Sequence, residues 1–335
     1  MPGLDVSKQE RVGVNAPAPA LLDRRLLFFT GKGGVGKSTI TAAFALLAAQ
    51  HGKRVLVIEV DAKGNLTDLF ERGPVGFAPA EVHPGVFAMT MNTQDSLQEY
   101  LRLNLKVPVL GRIGPVARAL DFVASAAPGV KEILTVGKVV WEVREALEGR
   151  AGWDIVIVDA AATGHIVAQL GAPDAIRELV AVGPVRQQTE WMSEILSDPT
   201  LTALNVVSTP EEMPVNETID LVEMAQAELS VPFGAVIVNR VLPELFTHAD
   251  EEVFDAMREP DAVARLSASA GPGASAVLDA ARLAVSLRRT RAVHLSHLRT
   301  TLDLPMLYVP YLFVRSYGLR VTRMVADALG EELGL

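Results

Sequence analysis

The sequence predicts a doubly wound α/β fold, in which a mostly parallel sheet carries helices on both faces. Residues 54–60 and 153–159 are rich in Val, Ile and Leu, as strands buried on both faces are, and an aspartate stands at the carboxyl end of each run. Residues 25–30 form a third apolar run that leads into a glycine-rich turn and then a helical pattern. This alternation of strands and helices is typical of parallel α/β sheets.

The remaining segments extend this pattern to the end of the chain. Further strands are predicted at residues 86–92, 201–207, 233–240 and 306–309. Helices are predicted at residues 173–180, 185–195, 274–298 and 319–332, and at 216–229 with Asn216 as the N-cap. We expect residues 1–24 to be a disordered lead-in and residues 25–335 to be one domain. That domain would include a helical insertion at about 95–150 and a second helical stretch at about 185–200.

Composition limits the classes of function. The 335 residues are 49% hydrophobic with a net charge of −9 and no cysteine, which excludes disulfides, cysteine-based zinc sites and thiolate chemistry. Without a long basic block, nucleic acid and anionic lipid are poor candidates as partners. The start of the chain lacks the apolar core of a signal peptide. A cytoplasmic protein is expected.

The glycine-rich turn has the composition of a phosphate-binding loop. It reads GKGGVGKST, and backbone N–H groups of such a loop converge on an anion at a helix N-terminus. Lys37 would reach the β- and γ-phosphates of ATP, and Ser38 would offer its hydroxyl to Mg²⁺. A glycine-rich loop without a ligand is the alternative, which leaves the Lys-Ser pair unexplained. The predicted nucleotide-binding residues here are Gly31, Lys32, Gly33, Gly34, Val35, Gly36, Lys37, Ser38 and Thr39.

Lys32 is a second lysine in the loop, and an ordinary phosphate-binding loop needs only Lys37. With Lys32, the string resembles the deviant-Walker ATPases, which are nucleotide-dependent dimers of the P-loop class. The resemblance implies that Lys32 crosses the dimer interface to the partner's nucleotide and that Lys32 and Lys37 together meet the transition-state charge. A solvated lysine in a polar loop is the alternative.

Two aspartates follow predicted strands at the edge of the sheet where ligands bind. Asp61 would orient the attacking water, although an N-cap for the following turn is the alternative role. Asp159 would bind Mg²⁺ directly or through water. Both segments resemble the switches of the arsenite-pump and tail-anchored-protein-targeting branch of these ATPases, over most of residues 25–335. The first switch, residues 61–65, reads DAKGN and departs from the pattern of that branch, whereas the second, 159–165, keeps most of its pattern but has alanine in place of the proline.

Three more residues enter through the same resemblance. Glu211 and Asn239 would contact the nucleoside, and Pro310 would line the base pocket. Asn239 has an alternative role as a turn residue at the end of a strand.

The predicted function is an ATP-hydrolysing dimeric switch, with ATP and Mg²⁺ as cofactors, that couples turnover to an unknown client or membrane-protein partner. The alternative is a nucleotide-binding regulatory subunit with weak hydrolysis that completes a paired ATPase, which the altered first switch favours. A partition or division-site ATPase is disfavoured by the acidic C-terminal helix. The missing cysteines depart from the arsenite pump and from the zinc-clamped targeting factor. Short, cysteine-free actinobacterial members, which function as two unlike paired ATPases, resemble the chain more closely and imply a heterodimer with a second ATPase of the family. A homodimer is the alternative.

Overall fold

A computed structural model describes residues 20–60, 65–105, 129–243, 247–271, 273–314 and 317–335 of the chain. Eight described strands form one sheet in the order β3-β4-β2-β5-β1-β6-β7-β8. All neighbouring strands are parallel except β3 and β4, which are antiparallel at one edge. The predicted doubly wound α/β class is therefore confirmed. The strands are β1 Leu26–Thr30, β2 Val55–Glu59, β3 Ala80–His83, β4 Val86–Thr90, β5 Ile155–Asp159, β6 Thr202–Ser208, β7 Phe233–Val241 and β8 Met306–Pro310.

Eleven α-helices connect or flank these strands in the described part of the chain, besides a single 3₁₀ turn at Leu21–Asp23. We number them α1 Lys37–Gln50, α2 Asn65–Asp68, α3 Thr93–Leu105, α4 Val130–Leu147, α5 Thr163–Leu179, α6 Pro184–Ser197, α7 Glu212–Glu228, α8 His248–Ala256, α9 Pro260–Ala270, α10 Ala274–Thr301 and α11 Leu319–Leu333.

The sheet separates two apolar layers, because successive side chains of a strand point to opposite faces. In β1, Leu26 and Phe28 pack into one layer, whereas Leu27 and Phe29 pack into the other. Helices α4, α5, α6, α7 and α10 cover the first layer, and α1, α2 and α11 cover the second. Burial on both faces explains why the central strands are almost continuously apolar.

Strand β3 and three helix boundaries differ from the sequence-based expectations. Strand β3 is short and mostly exposed, so it lacks the apolar run that indicates a buried strand. Helix α5 begins ten residues before its predicted start and contains Pro173, and α10 continues to Thr301. Helix α7 begins at Glu212 rather than after Asn216, since Pro214 lies in its first turn, where a missing N–H costs no helical hydrogen bond.

One further expectation is not decided by the fold. The division into a lead-in and one domain with helical insertions stays a prediction, because residues 1–19 and 106–128 lie outside the described residues. None of the helices in the described ranges is both long enough and apolar enough to cross a membrane.

Candidate functional site

The predicted phosphate-binding loop lies between the carboxyl end of β1 and the first turn of α1, at the edge of the sheet where parallel strands deliver ligand-binding residues. Gly31 has a φ of +144°, and a Cβ there would lie 2.1 Å from the carbonyl oxygen of Val207 in β6. Only glycine therefore fits between β1 and β6 at this point. Gly36 is the N-cap of α1 and provides no side-chain cap, which leaves the helix N-terminus open toward an anion.

Asn239, at the end of β7, supports this loop from the neighbouring strand. Its buried side-chain Nδ2 donates to the carbonyl oxygen of Val35 at 2.8 Å, and its Oδ1 accepts from the backbone N–H of Arg240 at 2.9 Å. A Cβ on Gly36 would lie 2.4 Å from Asn239 Nδ2. These contacts place Asn239 against the loop, while its contact with a nucleoside stays a prediction.

Ser38 and Asp159 are brought together from α1 and the carboxyl end of β5. The Ser38 hydroxyl donates to Asp159 Oδ2 at 2.6 Å, and Asp159 is 6% exposed. A hydroxyl and a carboxylate are the hard oxygen ligands that Mg²⁺ takes beside phosphates and water. These two side chains therefore fit Mg²⁺, and they would be its protein ligands.

A metal held by protein side chains alone is a different kind of site. Among the described residues, no group of three or more His, Cys, Asp or Glu side chains is placed to hold a metal ion. Mg²⁺ bound with a nucleotide needs no such group, because phosphate oxygens and water complete its coordination.

The two lysines of the loop have different environments. Lys37 Nζ donates to the backbone carbonyl oxygen of Lys32 at 3.3 Å, so it stays within the loop that would surround the phosphates. Lys32 instead forms an ion pair with Glu217 of α7. The side chains of Lys32 and Glu217 are 29% and 33% exposed. In this conformation Lys32 is directed to a carboxylate of its own chain.

Glu211 precedes α7 as its N-cap and lies at the rim of the site. Its Oε1 accepts from Arg291 Nη2 of α10 at 3.1 Å, and the Arg291 Nη1 lies 3.5 Å from the carbonyl oxygen of Arg240. Arg240 follows Asn239 and has a φ of +59°. The contacts link the ends of β6 and β7 to α10 beside the loop.

Pro310 ends β8 and pairs with Val241 of β7, so it lies at the same edge of the sheet as Asn239. The following backbone N–H of Tyr311 donates to the Val241 carbonyl oxygen at 2.8 Å. Tyr311 and Phe313 pack edge to face with ring centroids 4.9 Å apart, and Phe313 is 70% exposed. An exposed aromatic segment therefore continues from Pro310.

The structure thus gathers most of the predicted site residues at the carboxyl ends of β5, β1, β6, β7 and β8. Asp61, the predicted catalytic aspartate, lies outside the described residues, as does most of the first switch. The sequence analysis does not identify three residues that contact the site: Glu217, Arg291 and Thr30. The Thr30 hydroxyl donates to the Ala161 carbonyl oxygen at 2.9 Å. Glu217 lies 185 residues from Lys32, and no local pattern in the sequence indicates that pairing.

A family model and individual relatives both relate the chain to ATPases. A family model described as anion-transporting ATPase matches residues 24–182 and 178–264. The chain is 36% identical to the ATPase BagA of Mycobacterium tuberculosis over 226 residues, which are 65% of this chain and 66% of that protein. It is 30% identical to an arsenical pump-driving ATPase of Escherichia coli over 268 residues, 72% of this chain and 44% of that protein.

The matched region thus spans just under two thirds of BagA and less than half of the E. coli protein. Because the family model covers more than half of the chain, the protein belongs to the anion-transporting ATPase family.

Proposed function

We propose that the chain is an Mg²⁺-dependent ATPase that works as a dimer, pairing with itself or with a second ATPase of the family, and that turnover is coupled to a client or membrane-protein partner. The observation that carries the proposal is the 2.6 Å hydrogen bond between Ser38 and Asp159 beneath the glycine loop. It joins a phosphate-binding loop to the carboxylate at the end of the neighbouring strand, which are two of the parts that ATP hydrolysis requires.

The residues divide the work in this account. The backbone N–H groups of residues 31–39 and Lys37 hold the phosphates. Ser38 and Asp159 would hold Mg²⁺, which would supply positive charge against the phosphate oxygens. Asp61 orients the attacking water. Glu211, Asn239 and Pro310 surround the nucleoside.

Lys32 would act on the nucleotide that is bound to the partner subunit, so hydrolysis would require the dimer. For Lys32 to reach the partner's nucleotide, its ion pair with Glu217 has to break. Both side chains are about one-third exposed, so water screens their attraction and the pair is weak. A triphosphate carries more negative charge than one carboxylate and can displace Glu217.

Phosphate release from the purified chain tests this function. We expect the wild-type protein to release phosphate with Mg²⁺ and ATP, Lys37→Ala to lose ATP binding, and Asp61→Asn to bind ATP but lose most turnover. Wild-type turnover in Asp61→Asn would remove the role assigned to Asp61. Undiminished ATP affinity in Lys37→Ala would contradict the phosphate site itself.

The second candidate is a nucleotide-binding regulatory subunit with weak hydrolysis of its own. The sequence DAKGN at residues 61–65 favours it, since this segment departs from the first switch of related ATPases. Phosphate release measured alone and after mixing with a second ATPase of the family separates the two candidates. Robust release by the chain alone excludes the regulatory subunit.

A further inference from the structure

A cavity of about 320 Å³ lies between α3, α4, α5 and α6, away from the phosphate-binding loop. Its volume is near the lower end of the range for small-molecule sites. Ile176 of α5 contributes to its wall, and α5 begins at Thr163, four residues after Asp159. The cavity therefore touches a helix that starts beside the proposed Mg²⁺ ligands.

The walls are mainly aliphatic and aromatic. Trp141 of α4 and Trp191 of α6 meet with ring centroids 6.5 Å apart. Met192 lines the cavity next to Trp191, and its terminal methyl lies opposite Gly137, where a Cβ would come within 3.1 Å. A flexible thioether beside two indole rings can adapt to apolar groups of different shape.

Two hydroxyl groups in the lining already have partners within the protein. Ser96 donates to the carbonyl oxygen of Asn92 at 2.8 Å, and Thr189 donates to the carbonyl oxygen of Arg186 at 2.9 Å. Both residues are almost fully buried. Neither hydroxyl has to use its proton for a ligand, so the cavity does not require a polar occupant.

Each charged group of the lining also has an ion-pair partner within the protein. Lys138 has a 9% exposed side chain and forms ion pairs of 2.8 Å with both Glu99 and Glu142. Arg144 pairs with Glu148 at 2.8 Å, and its guanidinium lies 4.8 Å from the centre of the Trp191 ring. A charged ligand would therefore lose its hydration without gaining an unpaired counter-charge.

We propose that this cavity binds a small, uncharged, largely apolar molecule of about ten to seventeen non-hydrogen atoms. The class follows from the apolar walls, the two tryptophans and the internal pairing of the surrounding polar groups. This inference does not depend on the proposed ATPase function, because binding is tested in the absence of nucleotide.

Fluorescence titration with the neutral probe N-phenyl-1-naphthylamine tests the proposal on the full chain. We expect saturable binding at one site per chain and displacement by 1-decanol. Decanoate and decylammonium, which have the same chain length but carry a charge, should displace the probe at concentrations about tenfold higher or more. Failure of the wild-type protein to bind the probe saturably, or displacement by either ion as readily as by the alcohol, would overturn the proposal.

Matched variants on α5 locate the probe. Ile176→Trp fills the cavity and should weaken probe binding about tenfold, whereas Leu179→Trp, at a position that is 85% exposed on the same helix, should not. Ile133→Trp, at a partly buried position, fills the cavity from α4 and serves if Ile176→Trp lacks the native circular dichroism spectrum. Unchanged binding in a folded cavity-filling variant would show that the probe binds elsewhere and would contradict the site.

Discussion

Lys32 and Glu217 form an ion pair that ties the phosphate-binding loop to helix α7. The residues are 185 positions apart in the sequence, and both side chains are partly exposed. Partly exposed pairs contribute only about 0–1 kcal/mol to stability. In the single chain the pair directs Lys32 toward α7. Because the pair is weak, Lys32 can exchange it for a contact with phosphate at little cost in free energy.

Removing the charge of Glu217 should release Lys32. We expect Glu217→Gln to change the free energy of unfolding by less than about 1 kcal/mol. It should also raise the fraction of dimer that forms with ATP, because Lys32 no longer has to leave a carboxylate. Urea unfolding and sedimentation velocity measure the two effects, and Glu223→Gln, an exposed position on the same helix, is the control. Weaker ATP-dependent dimerisation in Glu217→Gln would contradict this role.

Adding a methyl group to Gly36 should destabilise the loop. Gly36 and Gly34 have similar φ values of +94° and +88°, but only at Gly36 would a Cβ meet Asn239, whereas at Gly34 no atom lies within 4 Å. In both alanine variants the unfavourable φ lowers the free energy of unfolding by roughly 1 kcal/mol. The clash should make Gly36→Ala less stable than Gly34→Ala by about 1–3 kcal/mol more. Urea unfolding without nucleotide measures the difference, and equal losses would show that Asn239 moves aside freely.

Ser38 and Asp159 should set the Mg²⁺ dependence of ATP hydrolysis. We expect Ser38→Ala and Asp159→Asn to raise the Mg²⁺ concentration needed for half-maximal phosphate release by at least about tenfold. The variant Asp154→Asn is the control, since Asp154 lies just before the opposite end of the same strand and accepts a hydrogen bond from the backbone N–H of Arg54. A Mg²⁺ titration that does not change in either site variant would refute the assigned ligands.

The charged form of Lys138 should stabilise the helices around the cavity, and this stabilisation should persist up to strongly alkaline pH. Burial would lower the pKa of Lys138, but the charge of Glu142 and the hydrogen bonds to Glu142 and Glu99 outweigh it, so the pKa lies above its ordinary value of 10.5. A raised pKa means that the stabilisation is complete below pH 10.5 and is lost as the pH rises through the folded-state pKa.

Lys138→Met leaves two carboxylates together without their cation and should cost about 3 kcal/mol near pH 8. The difference in the free energy of unfolding between this variant and the wild-type protein should become smaller above pH 10.5. Urea unfolding at a series of pH values measures it. Lys131→Met, at an exposed position on the same helix, is the control. A difference in the free energy of unfolding that stays constant to pH 12, or no difference at all, would contradict the stabilising role of Lys138.

The strands that carry the site could be predicted because local composition determines them. Strands β1, β2 and β5 are buried on both faces, so their sequences are nearly continuous in apolar residues, and the polar residue at each carboxyl end is visible as a break. The same reasoning missed β3, whose pairing with β4 is a tertiary contact that its exposed residues do not indicate.

The contacts within the site could be predicted only in part. Ser38 and Asp159 were both assigned to Mg²⁺, since each follows a recognisable local pattern, and the fold brings them within 2.6 Å. The contacts of Lys32 with Glu217 and of Glu211 with Arg291 join residues that are 185 and 80 positions apart. Such pairs depend on how α7 and α10 pack against the sheet, and no spacing in the sequence encodes that packing.

Mixing two inactive variants tests the dimeric mechanism most directly. Lys37→Ala should not bind ATP, and Lys32→Ala should bind ATP but lack the lysine that serves the partner. If Lys32 acts across the interface, one site of each mixed dimer has both lysines. In a chain that pairs with itself, we then expect an equimolar mixture to recover about a quarter of the wild-type rate of phosphate release, although each variant alone is inactive. A mixture as inactive as its components, with mixed dimers detected by differently tagged chains, would contradict the account.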